Sequence, residues 1–287
     1  MADKFHRVAV IGVGLIGGSL ALKMRQLKLA GEIIGVGRKL QNLKDARRIG
    51  ALTGYTHDPA QGVKGADLVV LAVPIKAMAR VVKAAAGSFM PGAIITDVGS
   101  AKAGMIKMLE PLLPQTADFI PAHPIAGREK SGAKFSDPEL FQNRWVIITP
   151  SKRSSAKGVR RVRRLWEKLG AKIVTMKPEV HDRILAGVSH LPHVVAYSLV
   201  GALLELDKKT AMLRFSAGGF KDFTRIAASS PEMWRDICLE NKPELLRAIR
   251  AYEKQMSRIK SWIEQDRAGQ LLKFFEQCKK VREKIGD

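Results

Sequence analysis

The chain has 287 residues, 46% of them hydrophobic, enough for two domains and a sizeable core. Its two cysteines, Cys238 and Cys278, form no CxxC pair, which excludes a disulfide framework and a zinc module and points to a reduced, cytoplasmic protein. The formal charge of +22 favours anionic ligands, but no zinc-finger or RNP-like motif accompanies it, so nucleic acid is not an expected partner.

The N-terminus runs directly into Val8-Ala9-Val10-Ile11, which glycines then break, so no signal peptide is expected. That run reads as a buried parallel strand. Leu15 to Leu29 follows with helical periodicity, then a strand over Ile33–Val36 and a polar helix over Leu40–Ile49. A third strand covers Asp67–Val73 and stops at Pro74; a fourth covers Ala93–Val98. Strand and helix alternate, which predicts a doubly wound parallel sheet. Phe119-Ile120, Trp145–Thr149 and Ala171–Met176 supply further strands, with a basic helix over Ser154–Leu169.

After Pro178 the strand signals cease. Helices are expected over Val180–Glu205, with an adjustment at Pro192, and over Pro231–Asn241, Pro243–Arg267 and Gln270–Ile285. The expected division is therefore 1–176, an α/β domain, and 177–287, an all-α domain whose apolar stripes suit a homodimer. The best membrane candidate, Val194–Leu206, is too short to span a bilayer, so no membrane partner is expected.

Gly12-Val13-Gly14-Leu15-Ile16-Gly17 matches GxGxxG between a strand and a helix, the context that makes it a Rossmann dinucleotide fingerprint. Gly12 permits the tight turn, Gly14 lets the backbone approach a pyrophosphate, and Gly17 allows close helix packing. The helix N-terminus supplies N–H groups for the phosphates. Val73 and Pro74, at the end of the third strand, belong to the same expected site. An NAD site ordinarily ends its second strand with Asp or Glu; here Gly37 stands there, followed by Arg38 and Lys39. Arg38 suits a 2′-phosphate, at roughly 1.5–3 kcal/mol for a charged hydrogen bond. The sequence thus favours NADP over NAD.

Three further segments carry chemistry. Asp97-Val98-Gly99-Ser100-Ala101-Lys102 ends a strand where open α/β sheets bind ligands. Ser100 suits a substrate hydroxyl or an imidazole, and equally a helix cap; Lys102 suits an anionic group. His123 opens the loop His123-Pro124-Ile125-Ala126-Gly127-Arg128-Glu129-Lys130-Ser131-Gly132 and is a candidate general base. Ser189-His190-Leu191-Pro192-His193 places two histidines on one helical face, without the further ligands a metal needs.

These motifs, with Asp222-Phe223-Thr224-Arg225-Ile226-Ala227 and Met233-Trp234-Arg235-Asp236, occur in the order that resembles the prephenate dehydrogenase (TyrA) family, which includes arogenate and cyclohexadienyl dehydrogenases. The resemblance covers residues 8 to about 245. It implies NAD(P)-dependent oxidative decarboxylation of prephenate to 4-hydroxyphenylpyruvate in tyrosine biosynthesis. It implies His123 as the catalytic histidine, Ser100 as its helper, and Arg225 as the holder of a substrate carboxylate. His193, Glu129 and Trp234 would line or gate the pocket.

Arg128 departs from the small hydroxyl residue that many relatives carry there. Pointing inward, it would disfavour the ammonium of arogenate. Some relatives carry a regulatory ACT-like segment or a mutase segment; neither is expected here, after residue 287 or before residue 8. The competing readings are an arogenate dehydrogenase, a β-hydroxyacid dehydrogenase with a lysine in its helical domain, and a basic non-catalytic binding protein.

Overall fold

The computed structural model describes residues 4–128, 132–207 and 211–284. By internal packing it divides into two compact units, Met1–Asn241 and Lys242–Asp287.

Six strands build the main sheet of the first unit. They are β1 (Phe5–Ile11), β2 (Ala30–Val36), β3 (Gly54–Thr56), β4 (Leu68–Leu71), β5 (Ile94–Asp97) and β6 (Asp118–Ile120). All pair in parallel, in the order β3-β2-β1-β4-β5-β6. Alternation along β1 explains the two layers. Val8 and Val10 face one buried cluster, Ala9 and Ile11 the other, and helices cover both. The chain reverses its direction of sheet growth between β1 and β4. A crevice opens there at the carboxyl ends, the place where such sheets bind ligands.

Three later strands form a separate sheet: β7 (Ala122–Pro124), β8 (Trp145–Ile148) and β9 (Lys172–Thr175). β7 is antiparallel to β8, with His123 opposite Ile147. The doubly wound parallel sheet expected from the sequence is the six-stranded one. The sequence missed β3, a three-residue edge strand, and gave no sign that the last strands form a separate sheet in which β7 runs antiparallel to β8.

Helix continues without a break from Pro178 to Leu206. Ala186–His190 is a π turn, and the N–H of Leu191 bonds to the Ala186 carbonyl five residues back. Pro192 has no N–H and its ring would strike the carbonyl of residue 188, so the chain widens just before it. The expected adjustment at Pro192 therefore falls in the turn that precedes it. By length and composition this helix could cross a bilayer: its most apolar 18-residue window has a mean hydropathy of 1.4 and is 22% buried. That corrects the expectation that no segment approaches such a length. The sequence count stopped at His190, Pro192 and His193, through which the helix continues.

The second unit is a pair of helices, Lys242–Glu264 and Ala268–Glu283, joined through Asp266 in a left-handed conformation (φ 50°). Trp262 and Phe274 meet across them with ring centroids 5.7 Å apart. The predicted end at Ile285 lies outside the described residues.

Candidate active site

The three fingerprint glycines serve different ends. Gly12 has φ +99°, and a Cβ there would lie 2.4 Å from the Ala72 carbonyl oxygen. A Cβ on Gly17 would lie 2.3 Å from the Gly12 carbonyl oxygen. A Cβ on Gly14 would meet nothing within 4 Å. Two glycines are thus required by protein packing, and the third borders open space where the helix Leu15–Gln26 presents N–H groups without a side-chain cap. This is the arrangement a pyrophosphate needs.

A cleft of about 260 Å³ runs from these glycines past Arg38, Lys39 and Arg80. Gly37 sits in its wall beside Arg38, so no carboxylate occupies the position that would face a 2′-phosphate. On the inner side, Gly14, Leu15, Ile16, Val73 and Pro74 line a second cavity of about 430 Å³ that reaches Ser100 and His123. A third cavity, of about 520 Å³, shares Ser100, His123, Arg128 and Met233 with the second, and extends to His190, His193 and Trp234. A dinucleotide and a small anionic substrate could therefore meet at one wall.

His123 stands on β7 in that wall, 7% exposed. Its Nδ1 lies 2.8 Å from Nε2 of His181, whose Nδ1 lies 2.8 Å from the Asp182 carboxylate. The protons in this chain can be assigned. Burial works to raise the Asp182 pKa, but hydrogen bonds from His181 and from the N–H groups of Ala103 and Lys102 outweigh it and hold the carboxyl ionised. An ionised carboxylate only accepts, so His181 carries its proton on Nδ1. Burial keeps His181 neutral, so its Nε2 is a lone pair and accepts from His123 Nδ1–H. Burial first, then the charges of His181, Lys102 and His190, hold His123 well below its ordinary 6.5. The neutral His123 ring therefore keeps its lone pair on Nε2, which bonds to no described residue. A lone pair so placed in the cavity wall can accept a proton.

Lys102 corrects a sequence expectation. It is fully buried and lines none of these cavities. Its Nζ donates to Asp97 at 2.5 Å and to the Ala122 carbonyl at 2.7 Å. Asp97 also accepts from the Ala122 N–H at 3.2 Å. The pair ties β7 to β5, so Lys102 helps fix the strand that carries His123, and its side chain does not reach these cavities.

Of the other predicted residues, Ser100 lines both inner cavities but makes no bond to His123, whose Nδ1 is committed to His181. Arg128 lines both and is ion-paired with Asp137, which offsets part of its charge. His193 stacks on Trp234 with centroids 3.6 Å apart, and its Nδ1 donates to the Ser189 carbonyl at 2.9 Å. Burial, opposed by that carbonyl and reinforced by the nearby Arg225 charge, lowers the His193 pKa. Arg225 itself is exposed and is absent from the cavity walls, although Ile226 and Ser229 line the substrate cavity. Glu129 lies outside the described residues.

Sequence reasoning missed His181 and Asp182, which carry the proton chain. It also missed Arg80 in the cleft of about 260 Å³ and Arg144, a second cation at the cavity of about 520 Å³. The adjacent pair His181-Asp182 at a helix start was the available signal.

Comparison with known proteins bears on this arrangement. Residues 20–175 match the profile described as prephenate dehydrogenase, nucleotide-binding domain, and residues 177–277 match prephenate dehydrogenase, dimerization domain. The chain is 38% identical to a cyclohexadienyl dehydrogenase of Zymomonas mobilis over 281 residues, covering 97% of this chain and 95% of that protein. It is 34% identical to a prephenate dehydrogenase of Bacillus subtilis, covering 96% and 75% respectively. Its fold is similar to the crystal structure of prephenate dehydrogenase from A. aeolicus in complex with hydroxyphenyl propionate and NAD+, at 34% identity and a TM-score of 0.93, covering 99% of this chain and all of that one.

Proposed function

The chain belongs to the prephenate dehydrogenase family, and from that premise we propose that it oxidatively decarboxylates prephenate to 4-hydroxyphenylpyruvate in tyrosine biosynthesis. The observation that carries the reading is the free Nε2 lone pair of His123, in a wall common to the cofactor-side and substrate-side cavities.

A nicotinamide held at the fingerprint glycines would supply the hydride acceptor. The chain's own residues manage the proton and the orientation. As hydride leaves the carbinol carbon, the hydroxyl proton passes to His123 Nε2 and the oxygen becomes a carbonyl. The C–C bond to the ring carboxylate then breaks and CO₂ departs; its electron pair makes the ring aromatic and turns the carbonyl into a phenolate, which takes the proton back from His123 to give the phenol. Ser100 is suited to hold the same oxygen. Arg225, whose charge reaches His193 at the substrate cavity, is our candidate for a substrate carboxylate, with His193 and Trp234 forming the adjoining wall. Glu129 is proposed at the same pocket on sequence grounds alone.

For the cofactor we propose NADP in preference to NAD. Gly37 in place of a carboxylate, and Arg38 and Arg80 in the cleft wall, support it. For the substrate we propose prephenate in preference to arogenate, because Arg128 lines both inner cavities and a cation there repels an ammonium. The rival specificity has its own support: a Synechocystis arogenate dehydrogenase structure shares the fold at 26% identity and a TM-score of 0.81. We retain 1–176 as the nucleotide-binding division and 177–287 as the helical one, on the extents of the two family matches. A homodimer in the cytoplasm, with no membrane partner, accounts for the exposed apolar side chains of Leu204, Leu206 and Phe215.

One experiment tests the whole reading: NADPH and NADH formation with prephenate and with arogenate, in four separate assays. The reading expects prephenate with NADP to be fastest. Absence of turnover in all four rejects it.

A further inference from the structure

Asn241 caps the helix Pro231–Glu240, is 2% exposed, and lines neither inner cavity. Its Nδ2 lies 2.7 Å from the Asp182 main-chain oxygen and 3.1 Å from Nδ1 of His190. A carbonyl oxygen can only accept, so the group facing it must be the amide NH₂, and the Asn241 orientation is fixed. The same nitrogen aims its second hydrogen at His190 Nδ1, which must then be an acceptor. His190 therefore carries its proton on Nε2. This is the reverse of His123, whose Nε2 is the lone pair.

His190 is 1% exposed, and burial lowers its pKa to about 4, so the ring stays neutral in ordinary buffers. Its Nε2 has no partner in hydrogen-bonding geometry, and the Ser100 main chain lies near enough to the ring to favour its protonated form. Ser100 lines both inner cavities. The other Asn241 contact holds the main chain of Asp182, whose carboxylate sets His181 and, through it, His123.

We propose that Asn241 is a positioning residue for the dehydrogenase reaction: one side-chain amide fixes His190 as the Nε2–H tautomer behind Ser100 and anchors Asp182, the origin of the proton order at His123. This rests on the function proposed above and adds a residue outside the reacting cavity.

The test is long-range ¹H–¹⁵N correlation of the imidazoles in histidine-labelled protein, assigned with His190→Gln and His123→Asn. The wild type should show Nε2–H for His190 and Nδ1–H for His123. In Asn241→Asp the carboxylate accepts, so His190 should move its proton to Nδ1. Turnover should fall roughly 10–100-fold, the usual cost of losing a partner that orients an active-site ligand, with cofactor affinity unchanged within about twofold. Asn241→Ala, which removes the amide donor outright, gives the same comparison if the Asp variant does not fold. A wild-type His190 protonated on Nδ1 overturns the proposal, as does a tautomer change that leaves kcat and its pH profile intact. The spectra need no substrate, so an error in substrate assignment leaves them decisive.

Discussion

Nδ1 of His123 and Nε2 of His181 lie 2.8 Å apart, and one proton belongs to that contact. The Asp182 carboxylate at the far end of His181 decides on which side it rests. The consequence appears at the opposite edge of the His123 ring, where a lone pair is left on the ring that lines both inner cavities. Orientation by a buried carboxylate, transmitted through a neutral ring, leaves an acceptor in the cavity wall without any charge on the His123 imidazole.

Replacing His123 with Asn removes that base and keeps its size. We expect kcat to fall roughly 10²–10⁴-fold while the affinity for NADP stays within about twofold. Steady-state kinetics and a cofactor fluorescence titration measure the two separately. Turnover near that of the wild type would take His123 out of the mechanism.

The same burial sets the pH response. His123 is held well below 6.5, so the acid limb of kcat should lie below that value. Stability follows the complementary sign. Below about pH 6.5 the unfolded chain binds protons that buried His123 and His190 refuse, so folding weakens as pH falls. The His190 share levels off near its folded pKa of about 4 and is worth on the order of 3 kcal/mol. Urea denaturation at pH 7 and pH 5 measures this. Greater stability at pH 5 would contradict the assignment.

The fingerprint glycines can be separated experimentally. Gly17→Ala places a Cβ 2.3 Å from a carbonyl oxygen and should lower stability by about 1–3 kcal/mol, seen as a drop in Tm. Gly14→Ala meets no protein atom within 4 Å and should leave Tm unchanged while weakening cofactor binding. Equal Tm losses in both variants would show that Gly14 is a packing residue too.

Arg38→Gln tests cofactor choice. Loss of one charged hydrogen bond should raise the KM for NADP about 10–150-fold and leave that for NAD unchanged. If the two KM values move together, Arg38 serves the adenosine or pyrophosphate and not a 2′-phosphate.

Much of this was legible in the sequence, for reasons that are local. Val8 to Ile11, Leu68 to Leu71 and Ile94 to Asp97 are buried strands that advertise themselves by composition. β3 did not, because Gly54, Tyr55 and Thr56 are half-buried at an edge and carry no apolar run. His123 and Ser100 were readable through motif context. The partner that orients His123 was not: His181 lies 58 residues away in sequence. Lys102 misled because motif position places the backbone only. Its side chain turns inward to Asp97, five residues back, where a buried carboxylate was already waiting.

The π turn before Pro192 has a cost that regularity would remove. In an uninterrupted α-helix, eight residues sweep about 800°, leaving His190 about 80° around the axis from Asp182. One extra residue in a wide turn takes back about 100°, and the two return to nearly the same side, where a single amide can touch both. A substitution at Pro192 that restored even winding would tighten the helix and swing one of these groups away. Selection for heat resistance alone should therefore find stable descendants in this segment that no longer turn over substrate.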